Sequence, residues 1–139
     1  MIRFLLSLFV IFAFSSTVSA DVFALRCVPT GGVSITNANG LHDIEKLEVG
    51  SLSSIVIRLE NDERRAAMVV EREGQPPIPY MFSLEARDTS NNVYQFNEMW
   101  ADLGYGLIVD VSKAMATRYL IATFGKRHII DYSCVSLDN

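Results

Sequence analysis

Histidine and cysteine, the side chains most often used to hold transition metals or attack substrates, are scarce here, with two of each in 139 residues. The histidines, His42 and His128, fall in no HExxH or other paired-ligand spacing, which leaves a zinc hydrolase unsupported. No GxSxG elbow presents a serine nucleophile. There is one tryptophan, Trp100, and three of the four prolines crowd into Pro76, Pro77 and Pro79. A cationic excess is also missing. Twelve Lys and Arg stand against sixteen Asp and Glu, a net charge of −4, which argues against nucleic acid or anionic lipid as the main partner. The chain has no internal repeat, no low-complexity stretch and no long amphipathic helical pattern. It is half apolar, so it is not an intrinsically disordered polymer, and its length suits one domain.

Long apolar runs are absent as well, with one exception at the start. Arg3 is followed by Phe4–Phe14, an apolar run broken only by Ser7, and then by the small residues leading to Ala20. Val18 and Ala20 occupy the −3 and −1 positions of a cleavage before Asp21, the layout of a secretory signal peptide. The competing reading is a retained anchor. Against it, this eleven-residue run rises only about 17 Å as a helix, while a hydrocarbon core is about 30 Å thick. Residues 1–20 are therefore expected to be removed, leaving residues 21–139 as a single domain with no stable membrane anchor, in the periplasm or outside the cell. That chain would carry 11 Lys and Arg against 16 Asp and Glu, a net charge of −5. The first cysteine, Cys27, lies seven residues beyond Ala20, too far for lipid attachment at the cleavage site.

Export changes how the cysteines are read. Cys27 and Cys134 form an even pair near the two ends of the exported chain, 107 residues apart, a spacing unlike a CxxC redox or metal motif. A structural disulfide between the first and last strands is expected.

Between them the chain reads as short strands punctuated by turns. Phe23, Leu25 and Cys27 share one face of a first strand, which Pro29-Thr30-Gly31-Gly32 is expected to break. Asn39-Gly40 signals a tight turn, and residues 41–49 fit a helical turn about as well as a strand. Ile55, Ile57 and Leu59 mark a further strand, with Asn61–Arg65 as a charged hairpin tip. The segment 74–79 is expected to be loop or sheet edge because proline cannot donate to a ladder. Tyr80, Phe82, Leu84 and Ala86 are expected to face inward, Asp88–Asn92 to turn, and Leu107, Val109 and Val111 to share a face. The last two strands, 117–124 and 127–135, flank Gly125-Lys126, which fits a type II′ turn. About eight or nine strands at roughly ten-residue intervals predict an all-β fold, a small antiparallel meander barrel or sandwich.

Chemistry is thinly represented. Glu98, Asp102, Asp110 and Asp131 could meet across strands as an acid–base pair, but their spacing does not require it. Met68, Met81, Met99 and Met115 stand singly, as core filling rather than a copper site. His128 is expected to be a solvated strand residue. The segment from Tyr94 to Tyr105, YQFNEMWADLGY, is the most suggestive. Aromatics on a Gly-hinged loop can form a recognition surface, which nominates Tyr94, Trp100 and Tyr105; the competing account has Trp100 plugging one end of a barrel and Tyr105 opening the next strand. The basic run Lys126-Arg127-His128, with Arg118, could attract an anion.

The disulfide between terminal strands, the chain size and the acidic balance resemble the small β-barrels of the periplasmic inhibitors of c-type lysozyme. The resemblance implies a similar plan and carries no functional residue. The Ser-Gly-x-x-Tyr segment of that family has no counterpart, and the nearest phrase here is Leu103-Gly104-Tyr105-Gly106. The expectation is an exported, non-enzymatic binding protein without a cofactor, a protein-interaction or inhibitor-type module. The alternative is a lipocalin-like carrier of a small ligand, which needs an unfilled barrel; a hydrolase is the least supported class.

Overall fold

Alternation of apolar and polar side chains decides which way each strand faces, and here it is kept up long enough to close a sheet on itself. The structure, a computed structural model, describes residues 21–38, 41–60, 64–100, 103–122 and 125–137. The expected signal segment 1–20, the Asn39-Gly40 turn, the tip residues 61–63, Asp102 and the chain at 123–124 lie outside them. Nine strands follow in order: β1 (Asp21–Ala38), β2 (Leu41–Lys46), β3 (Ser54–Glu60), β4 (Arg65–Glu71), β5 (Ile78–Asp88), β6 (Val93–Trp100), β7 (Leu103–Asp110), β8 (Met115–Ala122) and β9 (Lys126–Ser136). All pairings are antiparallel. From β3 to β9 each strand pairs with the next, and β1 pairs with both β3 and β9, so eight strands form a closed barrel. β2 is the extra strand. It pairs only with the last residues of β1, Val33–Ala38, on the edge that β3 occupies lower down. Residues 41–46 are thus a strand, and the only helical turn among the described residues is the 3₁₀ turn Val49–Ser51.

The expected break at Pro29–Gly32 does not occur. β1 runs through it, with the register against β9 shifting between Pro29, opposite Tyr132, and Gly31, opposite Asp131. Thr30 is the extra residue, and its hydroxyl donates to the Asp131 carbonyl at 3.2 Å. A bulge lets a strand absorb a proline and a glycine without ending. A second bulge, between Leu84 and Ala86 in β5, explains another difference. Phe82 is buried as expected, but Ala86, beyond the bulge, is exposed. Pro79, expected in a loop or at a sheet edge, sits in β5 opposite Val69, with β5 paired on both sides. The Tyr94–Tyr105 segment is not a hinged loop either; it is the β6–β7 hairpin, paired from Val93↔Asp110 to Trp100↔Leu103. The expected Gly125-Lys126 turn pair is not found: Lys126 already belongs to β9, and Gly125, at φ +82°, donates its N–H to the Ala122 carbonyl at 3.1 Å.

The core fills the barrel from the end where β1 and β6 begin. Phe23 and Tyr94 pack with ring centroids 5.1 Å apart, and Phe96 lies 6.4 Å from each. Above this aromatic floor come Leu25, Ile55, Ile57, Met68, Phe82, Leu107, Val109 and Tyr132, all buried. Cys27 and Cys134 stand opposite each other in β1 and β9 and are disulfide-bonded, as expected from the sequence. On the outer wall, Tyr119 of β8 lies across Gly106 of β7 so that its hydroxyl donates to Asn97 Oδ1 of β6 at 2.6 Å. A Cβ at residue 106 would collide with the Tyr119 ring, so only glycine lets that ring reach Asn97.

Two stability measurements check this account. Replacing both cysteines by alanine should lower the unfolding free energy by about 4–5 kcal/mol, the loop-closure value for so long a loop, as read by urea denaturation of oxidised and variant protein. Gly106→Ala should cost about 1–3 kcal/mol, the usual price of overpacking, and clearly less in a Tyr119→Ala background. Equal costs in both backgrounds would mean that Tyr119 is not what excludes a side chain there.

Candidate functional site

The packing described above stops short of one end. At the end where β3, β5, β7 and β9 begin, a cavity of about 270 Å³ opens inside the barrel. The β2–β3 connection crosses beside it. Leu47 N–H donates to the Gly32 carbonyl at 2.9 Å, the 3₁₀ turn follows, and Ser51, Leu52 and Ser53 reach the cavity wall. The remaining wall comes from the strand ends: Val70 of β4 and the exposed Arg72 just after it, Tyr80 of β5, Tyr105 of β7, Arg118 and Leu120 of β8, and His128 and Ile130 of β9.

Strand parity explains this collection. Arg118, opposite Ile130, and Leu120, opposite His128, lie two and four residues beyond the buried Ala116. His128 lies two residues before Ile130 on the face that also carries Tyr132 and Cys134. Alternation that buries the disulfide therefore also points His128 and Arg118 inward. The expectation of a solvated His128 is corrected on this ground, since it lines the cavity and is half-buried.

The electrostatics of the cavity are one-sided. Arg72, Arg118 and His128 line it, and no Asp or Glu does so among the described residues. The ion pairs among those residues, Arg26–Glu71, Arg65–Glu98 and Lys113–Asp110, leave Arg72, Arg118 and His128 out. Arg72 Nε donates to Ser53 Oγ at 3.3 Å. Burial lowers the His128 pKa from its ordinary value, and the charges of Lys126 and Arg118 push the same way. Tyr132, beneath, is fully buried, and its hydroxyl has no hydrogen-bond partner among the described residues. Burial raises its pKa, while the nearby Arg118 charge acts in the opposite sense. Tyr80 and Tyr105 face each other across the wall with ring centroids 5.8 Å apart and planes tilted by 40°.

The residues nominated from the sequence separate into two groups. Tyr105 and Arg118 are brought together in the cavity. Lys126, exposed at the start of β9, stands close enough for its charge to act on His128. Tyr94 does not belong to any surface, because its ring is buried in the aromatic floor at the opposite end. Arg127 faces outward opposite Ile121. Trp100 ends β6 opposite Leu103, and its side chain lies outside the described residues. Sequence reasoning missed Arg72 altogether; it turned Tyr80 inward and grouped His128 with Arg118 as an anion-attracting set without placing either at a cavity. The alternation of Arg72 with Val70 and of His128 with Ile130 was the signal that could have completed the set.

Of the acidic residues considered for acid–base work, the three among the described residues, Glu98, Asp110 and Asp131, each have a separate partner. Asp110 accepts from Ser112 Oγ and the Lys113 backbone in a turn, which with the Lys113 charge holds its pKa down to about 2. Asp131 Oδ1 accepts from Thr117 Oγ1 at 2.7 Å on the outer wall, and Glu98 pairs with Arg65 at 3.7 Å. Comparison of the chain with protein-family models, with characterised proteins and with solved structures finds no match. The class is therefore defined by the fold itself: a closed, disulfide-bonded, antiparallel eight-stranded barrel with one added strand and a cationic cavity in its mouth.

The depressed His128 pKa makes a prediction about stability. In the unfolded chain the imidazole takes up a proton near pH 6.5, and in the folded barrel only at lower pH. Between those values the unfolded state binds more protons, so stability should fall as the pH drops below 6.5 and level off below the folded pKa. The other charged and titratable groups around it are Arg72, Arg118 and Lys126 and the phenols of Tyr80, Tyr105 and Tyr132. Urea midpoints between about pH 7.5 and 5 should show this loss, and His128→Gln should flatten it. An unchanged slope in the variant would remove His128 from the cause.

Proposed function

We propose that this chain is an exported, non-enzymatic binding protein whose ligand enters the mouth of the barrel. The observation that carries the reading is the cavity of about 270 Å³, partly apolar, with Arg72, Arg118 and His128 converging on it. Ligand sites are typically concave, largely apolar pockets with a few polar groups placed to orient the ligand, and barrel mouths are a common location. The volume is near the lower end of the usual range of about 300–1,000 Å³, which suits a small molecule. Among the expectations raised by the sequence, this favours the lipocalin-like carrier. The barrel is filled over most of its length, but its upper end is open. A protein-interaction module has a separate feature to stand on, the outer-wall side chains Met99, Ile121 and Ile129, of which Met99 is 79% exposed. They lie on the outside of the barrel, with Met99 and Ile121 flanking Gly104, whereas the cavity concentrates charge inside a shaped volume. Export rests on the leader-like residues 1–20 and on a disulfide that suits an oxidising compartment.

One preparation tests both parts. Protein recovered from the export compartment should have an intact mass that begins at Asp21 and carries one disulfide. The small-molecule fraction of the cell envelope should raise its melting temperature by about 5–10 °C near saturation and should do little for Leu120→Trp, whose larger side chain fills the cavity. An equal shift in both proteins, or none in either, would overturn the cavity as the site.

A further inference from the structure

The charge inside the mouth runs against that of the chain as a whole. The protein is acidic overall, yet its cavity is lined by Arg72, Arg118 and His128 and by no carboxylate among the described residues. Arg118 is the most informative of the three. It is an inward position on β8 between the barrel's own core residues, it forms no ion pair among the described residues, and its charge reaches both His128 and Tyr132. Placing the Arg118 guanidinium in a partly enclosed site, with Arg72 at its exposed rim and an imidazole whose protonation their neighbourhood disfavours, costs free energy through desolvation and mutual repulsion, and an anion placed among them relieves the repulsion. The arginine fork is also the side chain best shaped to hold a carboxylate through two hydrogen bonds. The rest of the wall is not that of a bare anion site. Leu120 and Ile130 supply apolar surface, and the Tyr80 and Tyr105 rings supply flat faces.

We propose that the cavity binds a small organic anion, a single carboxylate-type head group on a flat apolar body, with the head group held by Arg118 beside His128 and Arg72 and the body packed against Tyr80 and Tyr105. This assignment rests on the cavity being a ligand site and adds the chemical class of the ligand. A neutral ligand of the same shape would leave the cations unrelieved. A bare inorganic anion would leave the apolar wall unused.

Matched probes test the assignment. Calorimetric titration of the disulfide-bonded protein with 2-naphthoate, 2-naphthamide and inorganic phosphate compares one apolar body with and without charge, and charge without a body. The expected result is naphthoate binding at least tenfold tighter than naphthamide, with no measurable phosphate binding. Arg118→Met should abolish that preference, Arg118→Lys should keep part of it, and Leu120→Trp should remove binding of both aromatic probes. Naphthamide binding as tightly as naphthoate, with both blocked by Leu120→Trp, would overturn the anion assignment and leave the cavity as a site for neutral ligands. Phosphate binding as well as naphthoate would overturn the organic part. Naphthoate binding unaffected by either Leu120→Trp or Arg118→Met would place the probe elsewhere and overturn the assignment. No binding of any probe would also overturn it, while the envelope-fraction experiment still decides whether the cavity takes a ligand. Should Arg118→Met fail to fold, the naphthoate-to-naphthamide ratio on the unaltered protein decides on its own.

Discussion

The structure depends on one seam, the ladder between β1 and β9. A sheet of eight strands without it would expose two edges and let water into the row of side chains from Phe23 to Tyr132. The ladder pairs eleven residues of β1 with eleven of β9, from Leu25↔Ser136 to Thr36↔Lys126, and the disulfide between Cys27 and Cys134 ties it covalently. Closure removes exposed edges, the general hazard of β proteins, from every strand of the barrel proper. Among the described residues, β2 is the strand left with a free edge. It is short, every one of its residues is exposed, and it carries His42, Asp43, Glu45 and Lys46, the kind of charged edge that discourages further pairing.

The same seam builds the site. β1 is longer than β3, so it continues past the barrel's β3 edge and must find another partner, which β2 provides. The return from β2 to β3 then has to pass the mouth, and it brings Leu52 and two serines to the cavity wall. The bulge at Thr30 keeps β1 in register with β9 across Pro29. β9 in turn holds His128, Ile130, Tyr132 and Cys134 in one inward row. The cationic mouth and the disulfide-closed core are therefore two ends of one strand's inner face. A change that slipped β9 by one residue would turn out the cysteine and the histidine together.

Much of this was legible in the residues. The paired cysteines, the strand spacing, the inward rows Ile55-Ile57-Leu59 and Phe23-Leu25-Cys27, and the turn at Asp88–Asn92 follow from period-two patterning and turn chemistry. That turn is held as expected, with Asp88 Oδ1 accepting from Ser90 N–H at 3.0 Å. Other features were hidden for physical reasons. Proline and glycine are read as breaks, yet a bulge absorbs them when a long partner strand is present, as with Pro29 and Gly31 against β9. Glycines 104 and 106 suggested a hinge beside Tyr105, but a glycine in a strand can serve an aromatic neighbour, as Gly106 does for Tyr119. His128 looked solvated because it is polar and follows a turn, and polarity says nothing about where a barrel's packing ends.

By itself, then, the sequence determined the all-β class, the covalent tie between its ends and the alternation that assigns each strand two faces. These are local or pairwise properties, set by side-chain period and by cysteine count. Only the tertiary structure decided that the sheet closes as a barrel rather than splitting into a sandwich, because closure depends on the register of β1 against β9, strands separated by most of the chain. It also decided that the core stops below the mouth, and so placed Arg72, Arg118 and His128 around one cavity. Those three come from different strands or strand ends, and no spacing along the chain encodes their meeting.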